Sequence, residues 1–101
     1  MVHAAKVDTV QSGIVDTLRR CGAQVESLAG VGKGVPDLLV GYAGNLYLLE
    51  VKSPGGKLTT MQKVWHRCWQ DYPVYVVHDA VEALNAIGAS IEHSSINGVD
   101  H

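Results

Sequence analysis

Three charged side chains sit in segments that otherwise read as buried strand. Asp37 begins the run Leu38-Leu39-Val40, and Glu50 and Lys52 end the run Leu46-Tyr47-Leu48-Leu49. Taking an unpaired carboxylate or ammonium out of water costs several kcal/mol, so the fold must supply compensation at these positions. The segments 36–42 and 46–52 are separated by Ala43-Gly44-Asn45, a turn signal, and together read as an antiparallel hairpin. Side chains alternate along a strand, so Glu50 and Lys52 share one face while Leu49 and Val51 point into the core on the other. A hairpin turned near these residues can bring Asp37 beside Glu50. The near-continuous apolar character of both runs implies burial on both faces, with helices covering the sheet.

The rest of the chain supplies those helices. Val7, Val10, Ile14, Leu18 and Cys21 recur at helical spacing, Arg19 and Arg20 suit the negative end of the helix dipole, and Gly22 is a natural stop. Residues 24–28 read as a short strand, and 29–34 as a glycine-rich connection that does not match a phosphate-binding loop. Thr59-Thr60-Met61-Gln62 fits a capping box that opens a helix. Met61, Val64, Trp65, Cys68 and Tyr72 would form its apolar face, with Gln62, Lys63, His66, Arg67 and Gln70 largely opposite. Residues 73–77 read as a core strand, and Asp79 caps a last helix through Ile87, stopped by Gly88. The order α-β-β-β-α-β-α specifies an α/β fold with a mixed sheet flanked by helices.

With 101 residues, 47% of them hydrophobic and 18% charged, the chain suits a single domain with a modest core. The core is expected over about 7–88, followed by a loose acidic tail over about 90–101. No run of eighteen apolar residues marks a membrane span, and no signal segment opens the chain. Cys21 and Cys68 are therefore expected as reduced thiols in a cytoplasm, and the five histidines show no zinc-ligand spacing. The net charge of −2 at first argues against a nucleic-acid partner. It is unevenly spread. Residues 1–70 hold all eight Lys and Arg against five acids, a balance of +3, whereas 71–101 hold five acids and no Lys or Arg. A basic part beside an acidic one is compatible with a local phosphate-binding surface, although charge runs are usually just solvated.

Two converging carboxylates repel unless a cation lies between them, and hard oxygen ligands of this kind suit Mg²⁺ or Mn²⁺. A metal so held polarises a phosphoryl oxygen and acidifies a bound water, which is the chemistry of phosphodiester hydrolysis. Lys52 would stabilise transition-state charge, or position or deprotonate the water; the residues leave these roles open.

Pro36-Asp37 followed by Glu50-Val51-Lys52 looks like the PD-(D/E)xK nuclease superfamily, a loose motif on its own. The wider string is more specific. Residues 33–40, then 49–59 and Gln62, resemble the VRR-NUC family of virus-type replication-repair nucleases, and Val10-Gln11, Ile14, Leu18-Arg19 and Gly22 are similar to its first helix. The resemblance spans about residues 7–88. It implies a restriction-endonuclease-like core, with Asp37, Glu50 and the main-chain carbonyl of Val51 as metal ligands, Lys52 as the catalytic lysine, and Gln62 near the site. The family's first-helix glutamate has no counterpart here; either Gln11 or Asp8 would take part of its role. Compact members look like homodimers that cut branched DNA, so the resemblance implies a junction-resolving endonuclease from a bacterial or phage cytoplasm. Two-fold symmetry would supply one site per strand.

Simpler readings stand beside these. Asp37, Glu50 and Lys52 could form a structural ion pair at the sheet edge, and Gln62 could serve only as a cap. Lys33, Lys57, Lys63 and Arg67 are ordinary solvated charges or phosphate contacts. Trp65 and Trp69 suit core or dimer contacts better than base stacking, and His66 and His78 suit satisfied surface positions better than ligand roles. The competing functions are a catalytically silent nucleic-acid-binding module and a nuclease acting on linear DNA ends or RNA.

Overall fold

A computed structural model describes the backbone of residues 2–89 and the side chains of 9–89. The tail expected over about 90–101 and the side chain of Asp8 lie outside the described residues. The elements are α1 (Val2–Arg20), β1 (Gln24–Ser27), β2 (Leu38–Tyr42), β3 (Asn45–Val51), α2 (Thr60–Cys68), β4 (Val74–Val77) and α3 (Ala80–Ala86), in the expected order. Helix α1 begins five residues earlier than apolar spacing alone placed it; Ala4, Ala5 and Lys6 are good helix formers, although they carry no apolar stripe.

The four strands form one mixed sheet in the order β1-β2-β3-β4. β1 pairs antiparallel with β2, β2 antiparallel with β3, and β3 parallel with β4. The hairpin closes tightly: Tyr42 pairs with Asn45, leaving only Ala43 and Gly44 in the turn, both at positive φ. Two such residues give the turn whose twist matches the strands. The parallel β3–β4 pair needs a crossover connection, and α2 provides it.

Register sorts the side chains into two faces. Leu38, Val40, Leu49, Val51, Val25 and Val77 face one side, where Ile14 and Leu18 of α1 and Ala83, Leu84 and Ile87 of α3 complete the buried core. Gly22, at φ +93°, closes α1 where expected, and Arg19 donates to the Val25 carbonyl at 2.9 Å, fastening the helix end to β1. Asp79 caps α3 by accepting from the Glu82 amide at 2.8 Å.

The opposite face corrects the expectation of burial on both sides. Among the described elements only α2 lies there, and none of its residues is buried. Leu39 and Leu48 are half-buried and Leu46 is 65% exposed. Helix α2 is also rotated from the expected pose. Met61, Val64 and Cys68 of its apolar face are exposed, whereas Gln62, Trp65 and His66 are half-buried. Polar residues turn toward the sheet because a buried carboxylate, Glu50, needs a donor there.

Candidate metal centre

The β2–β3 register pairs Leu38 with Leu49, and one step further sets Asp37 opposite Glu50. Asp37 is fastened on both sides. Its carbonyl accepts from the Leu28 amide at 2.7 Å, and its Oδ2 accepts from the Val51 amide at 2.8 Å. One carboxylate oxygen therefore fixes the side chain, and the other remains to serve a ligand. Val51 is the last residue of β3 and is buried, so its peptide lies against the carboxylate that binds its amide. Lys52 follows; its amide donates to the Val77 carbonyl at 3.0 Å, extending the parallel ladder.

Glu50 is 2% exposed, and it is the only buried charged residue among those described. Its Oε2 accepts from Gln62 Nε2 at 3.1 Å and lies 3.8 Å from Lys52 Nζ. Its Oε1 is buried and has no hydrogen-bond partner. Burial, first, and then the neighbouring Asp37 carboxylate push the Glu50 carboxyl from 4.5 up to about 7, against the opposing pull of Lys52. A carboxylate so disfavoured lacks a positive partner, and Lys52 alone does not meet the need. The ammonium lies beyond hydrogen-bond length from it and offers one charge to two carboxylates.

Gln62 answers both readings weighed for it. Its Oε1 accepts from the Thr59 amide at 2.9 Å while Thr59 Oγ1 accepts from the Gln62 amide at 3.2 Å, completing the capping box. The same amide group donates its Nε2–H to Glu50. The cap thus locks the side chain that reaches the site. The glycine-rich connection holds α2 in place from outside: a Cβ on Gly34, at φ +83°, would meet the Met61 carbonyl oxygen at 2.6 Å.

These contacts bring Asp37, Glu50, Val51, Lys52 and Gln62 together. Lys33, Lys57, Lys63 and Arg67 are exposed; they lie in the connection that packs on α2, in the loop between β3 and α2, and on α2 itself. Lys63 and Arg67 are one helical turn apart. Gln11 is not brought to the carboxylates. It lines a separate depression with Ser12, Val15, Asp16 and Arg19, on a helix that covers the core face of the sheet. The residue that sequence reasoning undervalued is His66. It stands four positions after Gln62, and its Nε2 is buried without a partner. The available signal was that spacing, which puts both side chains on one helix face.

Among the described residues, no group of three His, Cys, Asp or Glu side chains could enclose a metal. The site fits a hard divalent cation in the manner of Mg²⁺, which takes one or two carboxylates and completes its shell with carbonyl and water oxygens. The unpartnered Glu50 Oε1 and the raised Glu50 carboxyl are the features a cation would relieve. Compared with known proteins, the chain matches no family model, no curated relative and no solved structure.

Proposed function

We propose that this protein is a metal-dependent endonuclease that hydrolyses DNA phosphodiester bonds, with a restriction-endonuclease-like core of the VRR-NUC kind. The observation that carries the reading is the buried, half-partnered Glu50 set opposite Asp37, with the Lys52 ammonium 3.8 Å from Glu50. Buried carboxylate oxygens of structural ion pairs are as a rule hydrogen-bonded, so the unpartnered Oε1 favours a bound cation over a purely structural pair. Asp37, Glu50 and the Val51 carbonyl would hold Mg²⁺ or Mn²⁺. When bound, the ion supplies Lewis acidity toward a phosphoryl oxygen and lowers the pKa of water. The protein's own groups divide the remaining work. Asp37 is oriented by the Val51 amide, and Glu50 by Gln62. Lys52 brings three donors to the place where negative charge grows on the phosphate. Lys33, Lys57, Lys63 and Arg67 contact flanking phosphates without reading sequence.

The preferred substrate in this reading is branched DNA, such as a four-way junction, cut by a cytoplasmic homodimer that offers one site to each of two strands. The exposed apolar residues of α2 leave surface on which copies could associate. Incubation with labelled four-way junction, flap and linear duplex, in Mg²⁺, Mn²⁺ or EDTA, tests this. Metal-dependent cutting of the junction is expected. Cutting all substrates equally would remove the junction preference, and cutting none would leave a silent binding module.

A further inference from the structure

Two buried polar side-chain atoms among the described residues have no hydrogen-bond partner, Glu50 Oε1 and His66 Nε2. The first belongs to the candidate metal centre. The second lies one helical turn beyond Gln62, on the face of α2 that turns toward the sheet. The imidazole stands edge-on to Trp65, with ring centroids 5.7 Å apart and planes at 74°. Burial first, and then the charge of Lys52, lower the His66 pKa and favour the neutral ring. A neutral imidazole carries one donor and one acceptor. Lys52 presents the opposite imbalance. Its side chain is 17% exposed, its Nζ is 3.8 Å from Glu50 Oε2, and its ammonium makes no hydrogen bond among the described residues. An unmatched donor and an unmatched acceptor thus occupy one neighbourhood, between β3 and α2.

We propose that His66 is a positioning residue for Lys52: its ring is the Nδ1–H tautomer, and Nε2, unpartnered in the structure, takes the Lys52 ammonium as its hydrogen-bond donor in solution. The contact holds Nζ from the α2 side, so that Lys52 stays in place when Glu50 turns to another partner. The hydrogen bond stands on its own, and its contribution to turnover rests on the nuclease reading above.

The test has two arms on the full chain. Long-range ¹⁵N–¹H spectra at pH 8 without metal, assigned against His66→Gln, report the tautomer and the Nε2 resonance. The Nδ1–H form is expected, with Nε2 shifting in Lys52→Met. An Nε2–H ring, or a resonance indifferent to Lys52→Met, would overturn the proposal. In the second arm, His66→Asn and His66→Leu lower kcat on cleaved DNA about tenfold with KM unchanged, as expected for one lost positioning contact. His66→Gln, whose amide oxygen reaches the Nε2 position, recovers most of the loss. Equal losses in all three variants would also overturn it. If the wild type cuts no DNA, the nuclease reading fails, and the tautomer alone decides the role of His66.

Discussion

Replacing Glu50 by glutamine keeps the shape of the side chain and removes its titration, which makes it a direct probe of the candidate centre. In the folded, metal-free protein the carboxyl titrates at about 7 rather than 4.5, chiefly because of burial. The folded chain therefore holds a proton between about pH 4.5 and 7 that the unfolded chain releases. Stability falls as pH rises through that window and levels off above it. The displacement corresponds to about 3 kcal/mol at pH 8 and about 1 kcal/mol at pH 5, counted against a side chain that cannot ionise. Glu50→Gln should thus be more stable than wild type by those amounts, a gain of about 1–3 M in urea midpoint at pH 8. Urea unfolding in EDTA at both pH values measures it. Adding Mg²⁺ at ten times its dissociation constant should then return about 1.4 kcal/mol to the wild type at pH 8 and almost nothing to the variant. A gain equal at pH 5 and pH 8 would refute the claim that burial and Asp37 raise this carboxyl. Equal stabilisation of both proteins by Mg²⁺ would refute the claim that the carboxylate pair holds the metal.

Further outcomes follow from the same geometry. Asp37→Asn should abolish metal-dependent cleavage while DNA binding by electrophoretic shift persists, and Lys52→Ala should lower the rate about a hundred- to a thousandfold, as loss of a transition-state donor does; a normal rate in Lys52→Ala would remove that residue from the mechanism. Gly34→Ala should destabilise the fold by about 2–3 kcal/mol and weaken Mg²⁺ binding, because its Cβ meets the Met61 carbonyl at 2.6 Å and displaces Gln62 with α2. Ala43→Asn should raise the thermal midpoint, with a gain of about 0.5–1 kcal/mol, since Ala43 sits at φ +50° in a two-residue turn that favours asparagine.

The hairpin and its charged residues were legible in the sequence because strand alternation is rigid. The turn is one residue shorter than the expected Ala43-Gly44-Asn45, because Asn45 pairs with Tyr42; that register sets Asp37 opposite Glu50, with Lys52 on their face. The capping box at Thr59 and Gln62 was legible for a similar local reason. The pose of α2 was not. Helical periodicity marks an apolar stripe but does not say that it faces inward, and here Gln62 and His66 turn to the sheet while Met61 and Val64 turn away. The start of α1 was missed because Ala4-Ala5-Lys6 helps the helix by propensity rather than by pattern. Gln11 was placed near the site by resemblance alone, and the register of α1 on the core face sets it apart.

The centre is assembled from parts of unequal firmness. Glu50 belongs to an inner strand laced to a neighbour along each edge, whereas Gln62 rides on a helix with no residue fully shielded from solvent. Local opening takes least free energy where the fewest groups are packed, so the strand side of the centre is the firm one and the α2 side the one that yields. If the proposed nuclease reading holds, a bulky, bent substrate would gain room by displacing α2 and leave the carboxylates where the sheet sets them.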